Sequence, residues 1–570
     1  MPLTSLRDQA RSLGLRTLLA GLVAWAAAAA IAFRSSLLSS FDWIFGSPGD
    51  GRLIAYLHEH LFNALRGRAE FLSPPFYFPQ KNVLGYTDAF LLDILPYSAL
   101  RTLGLDPFLA SQIFAISLSL ACFVASLVIL VRYLRLSPAI AICAAVLITF
   151  PNNLMFKTAE GHPNFFALYY VPCIVLLALW AIEDFPRPTR WSLIRAALAG
   201  LLFGLLFSTL FYVAWLFVFT ALFALCAVAV LRWRAMAALL WSNIRPCAAL
   251  LAAAALGFAV GVAPLVVIYL PALHELSGRS YREFLSYAPF PKDLINVSHT
   301  NLMWGWLVDL LLGKTDHERV LAVTPLLTAA AVALVVVVRG ARRPGEAMPW
   351  QLVVGVACVA VWALSWLFTF RVGTFSVFWI PYQIVPGAVA IRAAGRIQLL
   401  VHLWMVTGLA VLLHYWITTA PLGRLRTRQA IAALVLAVCL IEQINLQPGE
   451  LSRRDELARL AAVPAPPADC EVFVVNAGPP SDISLKEVDA MWISMRIGLP
   501  TINGNSGWSP PGWRLDDKQM DYDDALRRWI KLAGVTQRIC QYQRDAGFWS
   551  AYDTNPPALR PTADAAPRAD

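Results

Sequence analysis

Eleven near-continuous apolar stretches set the terms for anything this chain can fold into: 15–33, 107–131, 138–153, 164–182, 196–211, 213–231, 246–270, 321–339, 350–370, 397–416 and 429–446. Each is close to the ~20 residues that a helix needs to cross a hydrocarbon core about 30 Å thick. Residues 196–231 form one longer run, divided at Ser208–Tyr212 because a single span of that length overshoots the bilayer. Only 14% of the residues are charged and 58% are hydrophobic, against a charged share of about 25% in soluble domains. Water is therefore the wrong solvent for most of this chain. The first run is too long for the apolar core of a signal peptide and reads as a retained anchor.

Arginine placement gives the spans a direction. With the N-terminus inside, the inner segments carry Arg7, Arg11 and Arg16, then Arg132 and Arg135, then Arg187, Arg190 and Arg195. The next three carry Arg232, Arg234 and Arg245, then Arg339, Arg342 and Arg343, then Arg424, Arg426 and Arg428. Short basic loops mark the cytoplasmic side. The opposite loops, 34–106, 154–163, 271–320 and 371–396, are mixed in charge, as is everything after 447. This pattern predicts a multi-pass protein of a bacterial inner membrane, N-terminus cytoplasmic and C-terminal domain periplasmic. Residues 86–104 are apolar but broken by Asp88, Asp93, Pro96 and Arg101. Counted as a span, they would put every later arginine cluster outside, so they read as a helix at the outer interface. The net charge of +10 is spent on these topology signals; no contiguous basic face is left, which argues against a nucleic-acid partner.

The expected organisation is a helical membrane domain over 1–446, a polar linker over 447–469, a small α/β domain over 470–555 and a disordered tail over 556–570. The small domain reads as strand, helix from Ser484 to Gly498, Gly/Pro-rich loop, helix from Asp521 to Gly534, and strand. Cys470 and Cys540 lie beside its two candidate strands and outside the spans, where disulfides can form. They are either a bridge or two buried thiols.

The residues able to do chemistry gather in the outer loops. Asp50 opens a helix that also carries His58, Glu59 and His60, and its simplest role is a helix cap. His58 and His60 are two apart, face different directions on a helix and make a poor metal pair. Asp88 and Asp93 follow, and the next outer loop, KTAEGHPNFF, adds Lys157, Glu160 and His162. These loops flank consecutive spans, so Asp50, Asp88, Glu160 and His162 are placed to converge on one outer cavity. Carboxylates there serve as a base for an acceptor hydroxyl or hold a divalent cation; no other cofactor is indicated. In PYQIVPGAVAIRAAGR, Arg392 and Arg396 share a face if the segment is helical, suited to a donor phosphate or to snorkelling toward headgroups. The loop at 271–320 adds Tyr281, Arg282, Glu283, His299 and Trp304, none singled out by spacing. LPTINGNSGWSPPGW at 499–513 is a turn-rich loop or, through its aromatics, a sugar-stacking surface or a seat for the domain on the membrane.

Taken together, Gly49–Asp50 and the helix after it, SPPFYFPQ, AEGHPNFF and PGAVAIRAAGR resemble the C-type (GT-C) membrane glycosyltransferases over the first 446 residues. The resemblance implies a polytopic helical fold and a sugar donor carried on a polyprenyl phosphate or diphosphate. It implies a lipid, glycan or protein acceptor, with Asp50 as catalytic base or metal-site acid. A second acid would fall on Asp88 or Glu160. The paired acid usual in that family is absent, since Gly51 and Arg52 follow Asp50. The expectation is a glycosyltransferase of the cell envelope acting on the outer face, with Asp88, Glu160, His162, Arg392 and Arg396 binding substrate. Its rivals are a non-catalytic assembly protein and a lipid or solute transporter. Ionisable residues are scarce at mid-span, which counts against the transporter.

Overall fold

The computed structural model describes residues 13–276, 278–341, 348–476, 483–517 and 519–553, without the side chains of Ile483 and Ser484. The tail at 556–570 lies outside the described residues, as do Arg7, Arg11, Arg342 and Arg343. The chain divides into two compact units: Met1–Phe62 with Asp88–Arg453, and Asn63–Thr87 with Arg454–Asp570.

The first unit is helical and multi-pass. Nine helices among the described residues are long and apolar enough to cross a membrane. Two shorter ones, Pro325–Gly340 and Leu425–Ile441, occupy the remaining apolar runs. The segment at 86–104 holds only the nine-residue helix Ile94–Thr102, about 14 Å long at 1.5 Å per residue and too short to cross. Packing relies on small residues where backbones touch. On Arg190–Thr209 and Ile244–Glu275, Gly200 and Gly257 each face a backbone carbonyl, and an added Cβ would stand 2.0 Å from Ala254 O and 1.8 Å from Ala197 O respectively. Gly204 and Gly261 repeat the approach one turn on, giving the small-xxx-small pattern that lets lipid-embedded helices pack on dispersion alone.

One break matters for chemistry. The run that starts at 138 does not continue as one helix, because Pro151 ends Pro138–Thr149 and starts a separate helix, Asn152–Glu160. The loop expected at 154–163 is therefore mostly helix. A buried amide knot fixes its start: Asn152 Oδ1 accepts from Asn301 Nδ2 at 2.9 Å and Asn445 Nδ2 at 3.0 Å, and Asn152 N–H donates to Gln443 Oε1 at 3.0 Å.

The second unit is a small α/β fold. Strands Val472–Asn476 and Ile539–Gln543 run parallel, with Val472 opposite Ile539, and Phe548–Ala551 adds an antiparallel edge. Helices Ile483–Ile497 and Tyr522–Leu532 complete it, the latter capped by Asp521 Oδ1 on the N–H groups of Asp523 and Asp524. Cys470 and Cys540 form a disulfide with their Cα atoms 5.8 Å apart. Two features differ from the sequence reading. The polar stretch 447–469 is not a simple linker, since RRDELARLAA forms the helix Arg453–Ala462. And residues 63–87, taken from sequence as membrane-domain loop, belong to this unit. Tyr77 and Phe78 donate their N–H groups to Asn503 O and Thr501 O, both at 2.9 Å, and Thr501 N–H returns a bond to Pro75 O at 3.0 Å. SPPFYFPQ is thus a structural strap. Trp513 is buried against Tyr77, with ring centroids 4.8 Å apart, and donates from Nε1 to Ile502 O. It is core, not a sugar-stacking surface.

Candidate functional site

The first unit carries a compact charged cluster, and its parts come from four separate stretches of chain. Asp50 is the first residue of the helix Asp50–Leu65. Its carboxylate reaches a second segment: Oδ2 lies 2.9 Å from His162 Nδ1. His162 is held between Gly161 and Pro163, and its own N–H bonds to Lys157 O at 2.8 Å, closing the end of the Asn152–Glu160 helix. His162 Nε2 lies 2.9 Å from Glu318 Oε1. Glu318 sits in the short 3-10 turn His317–Arg319, which Asp316 caps through the Glu318 N–H at 2.9 Å.

Glu318 is the hub. Its Oε1 accepts from Arg396 Nη2 at 2.6 Å, its Oε2 from Arg396 Nε at 3.2 Å and from Lys157 Nζ at 3.3 Å. The Glu318 side chain is 3% exposed and that of Lys157 is fully buried. Burial alone would raise the Glu318 pKa, but Arg396, Lys157 and His162 outweigh it and hold the carboxyl far below its ordinary range. Arg396 is further clasped between the rings of Phe165 and Tyr212, its guanidinium carbon 5.0 Å from each centroid.

Asp50 differs from the others in exposure: its side chain is 41% accessible. Burial pushes its pKa up, yet His162, Arg392 and Arg396 pull harder, so it ionises more readily than a free aspartate. An ionised carboxylate can only accept, so His162 Nδ1 carries a proton and donates to Asp50. His162 Nε2 lies between Glu318 Oε1, at 2.9 Å, and Arg396 Nη2, at 3.2 Å.

The remaining sequence candidates stand at the edge. Asp88 Oδ2 accepts from Asn164 Nδ2 at 3.2 Å, and burial raises its pKa to about 6 against the pull of Asn164 and Arg396. Glu160 Oε1 is 3.8 Å from His317 Nδ1. Arg392 and Arg396 do not lie on one helical face, because short 3-10 turns at Ala388–Ala390 and Ala394–Arg396 flank an extended break. Arg392 instead lies over the Tyr287 ring at 5.2 Å, and its N–H bonds to Tyr212 OH at 2.9 Å. Glu318 and His317 escaped the sequence reading. Their only signal was a short polar stretch, KTDHER, at the end of a long loop. Asp93 and Arg101, left without roles, each have a buried partner: Asp93 meets His58 at 3.2 Å, and Arg101 pairs with Glu59 at 2.6 Å.

His162, His317 and Glu318 offer ligand atoms within 4.8 Å of one another, a donor set that suits a divalent ion. The fit fails on charge. Both Glu318 oxygens already hold buried cations, Arg396 and Lys157. A divalent ion would have to displace one of them, so no step is assigned to a metal here.

No protein-family model matches this chain. No curated protein matches it either. Among solved structures it is similar to the arabinofuranosyltransferase AftD from mycobacteria, at 14% identity and a TM-score of 0.47, over 87% of this chain and 32% of that one. The chain therefore spans about a third of that protein's length.

Proposed function

We propose that this protein is a membrane glycosyltransferase that moves a sugar from a polyprenyl-phosphate-type donor to a lipid, glycan or protein acceptor on the outer face of the membrane. The observation that carries the reading is the Asp50–His162–Glu318 chain, one accessible carboxylate backed by a buried cluster in which Glu318 holds Arg396 and Lys157. Such an arrangement keeps Asp50 ionised and aimed while the supporting charges stay out of water.

In this reading the acceptor hydroxyl donates to Asp50, which orients it and takes its proton as the acceptor oxygen bonds the anomeric carbon of the sugar and the sugar–phosphate bond breaks, the polyprenyl phosphate leaving with the electron pair. His162 holds the Asp50 carboxylate through Nδ1–H. Arg392, whose guanidinium makes no ion pair among the described residues, meets the donor phosphate. Arg396 is committed to Glu318 and acts as a positioning residue. Asp88 and Glu160 border the acceptor region.

The test is Asp50→Asn, assayed with purified protein and polyprenyl-phosphate sugars, and in cells by envelope glycan analysis. The expected result is a loss of transfer of about 10²- to 10⁴-fold at normal protein levels. Transfer at the wild-type rate in the variant would remove Asp50 as the base.

A further inference from the structure

Beside the Asp50–His162 pair lies a cavity of about 40 Å³, walled largely by apolar side chains such as Ile54, Phe108 and Phe114. Gly51 and His58, from the Asp50 helix, line one part of it. Pro163 and Asn164, the two residues after His162, line another, and Asp93 together with Ser111 and Gln112 of the span Pro107–Val128 completes the polar set. Three of these residues carry a buried polar atom with no partner among the described residues: His58 Nδ1, Gln112 Oε1 and Asn164 Oδ1.

The hydrogen bonds on their far sides fix what those atoms are. Gln112 Nε2 donates to Phe41 O at 3.1 Å, so its amide cannot be flipped and Oε1 faces the cavity. Asn164 Nδ2 donates to Asp88 Oδ2 at 3.2 Å, which leaves Oδ1 as the other end. His58 Nε2 faces Asp93 Oδ2 at 3.2 Å, and Asp93 Oδ1 already accepts from Tyr170 OH at 2.8 Å. In the neutral tautomer that donates from Nε2 to Asp93, Nδ1 is an acceptor. Three acceptors then belong to residues lining one cavity, and the hydroxyl of Ser111, which also lines it, is already given to Pro107 O at 3.0 Å.

We infer that this cavity is an internal hydration site, in which water donors bridge His58 Nδ1, Gln112 Oε1 and Asn164 Oδ1 and so tie the Asp50 helix to the segment carrying His162. The size agrees: a buried water needs ~10–15 Å³ of such space and two to four polar partners, so about three waters fit. The energetics agree as well, since an unpaired buried acceptor costs roughly 1–3 kcal/mol. His58, Gln112 and Asn164 are then positioning residues. They act on Asp50 and His162 through water, and touch no substrate.

The kinetic arm of the test rests on the transfer reading; the structural arm does not. In the full-length protein in lipid nanodiscs, at a resolution that reveals ordered water, density is expected between the three acceptors. A cavity without density overturns the inference. So does a single peak that appears only with added sodium or ammonium salt, which would make the occupant a cation. Gln112→Leu keeps the bulk but removes an acceptor, and is expected to lose water density and lower kcat about tenfold with KM unchanged. Gln112→Glu, neutral when buried, keeps both an acceptor and a donor to Phe41 O and is expected to recover most of the rate. Equal kcat in wild type and Gln112→Leu overturns the positioning role. If no variant transfers sugar, wild type included, the transfer reading fails and the water density alone decides the inference.

Discussion

Glu318 in the first unit and Glu487 in the second are both almost completely buried, yet their surroundings drive them in opposite directions. Glu318 is bonded to Arg396, Lys157 and His162, which hold its carboxyl far below the ordinary range. Glu487 accepts one bond at Oε2, from the Gly504 N–H at 2.9 Å, while Oε1 has no partner among the described residues. Its sequence neighbour Lys486 turns its ammonium onto the Tyr522 ring, 3.1 Å from the centroid. Burial then wins, and the Glu487 carboxyl is pushed up to about 7. The lesson is that depth alone does not decide a buried carboxylate's charge. The number of cations that the fold brings to it does.

The sharpest way to break this contrast is to neutralise each acid. Glu318→Gln leaves Arg396 and Lys157 buried without their shared counter-charge, and should destabilise the protein by about 3–5 kcal/mol. Glu487→Gln mimics the neutral carboxyl that burial favours, and should make the protein more stable than wild type at pH 7 by about 1–3 kcal/mol. Thermal unfolding of the two variants in the same detergent compares them directly. Equal melting would dissolve the distinction.

The next effect is in pH. A carboxyl whose folded pKa is raised contributes stability that is fully present below its unfolded value and lost as pH rises through the folded value. For Glu487 the window runs from 4.5 to about 7, and the loss across it is on the order of 1–3 kcal/mol. Unfolding of the wild type against pH should therefore slope downward there, and Glu487→Gln should flatten the slope. Glu318 contributes no slope in that window, because its folded pKa lies far below it.

The smallest effect on stability separates the two arginines. Arg396→Ala should unfold much as Glu318→Gln does. Arg392→Ala removes only a ring contact and should stay within ~0.5 kcal/mol of wild type. If Arg392 holds the donor phosphate, the same variant should raise the donor KM about tenfold, a loss of roughly 1.4 kcal/mol in binding. An unchanged KM would take Arg392 out of the site.

Some of the site was legible before any coordinates. Asp50, His162 and Arg396 were each picked out by position: an acid at a helix start, a histidine in the next outer loop, and an arginine in a segment suited to a donor phosphate. Glu318 was not, because nothing local distinguishes a hub carboxylate from a surface one. Its partners His162 and Arg396 lie 156 and 78 residues away along the chain. The same limit hid the strap at 63–87, whose prolines and aromatics read equally well as a membrane-domain loop.

The apolar runs settle by themselves that this chain lives in a bilayer and crosses it many times. That follows because the cost of burying backbone and charge in hydrocarbon acts on each segment separately, so it can be read segment by segment. Which charges neutralise one another cannot be read that way. Compensation depends on distances of a few ångströms between remote segments. Only the folded chain turns Glu318, His162 and Arg396 into one cluster and leaves Asp50 as its accessible end.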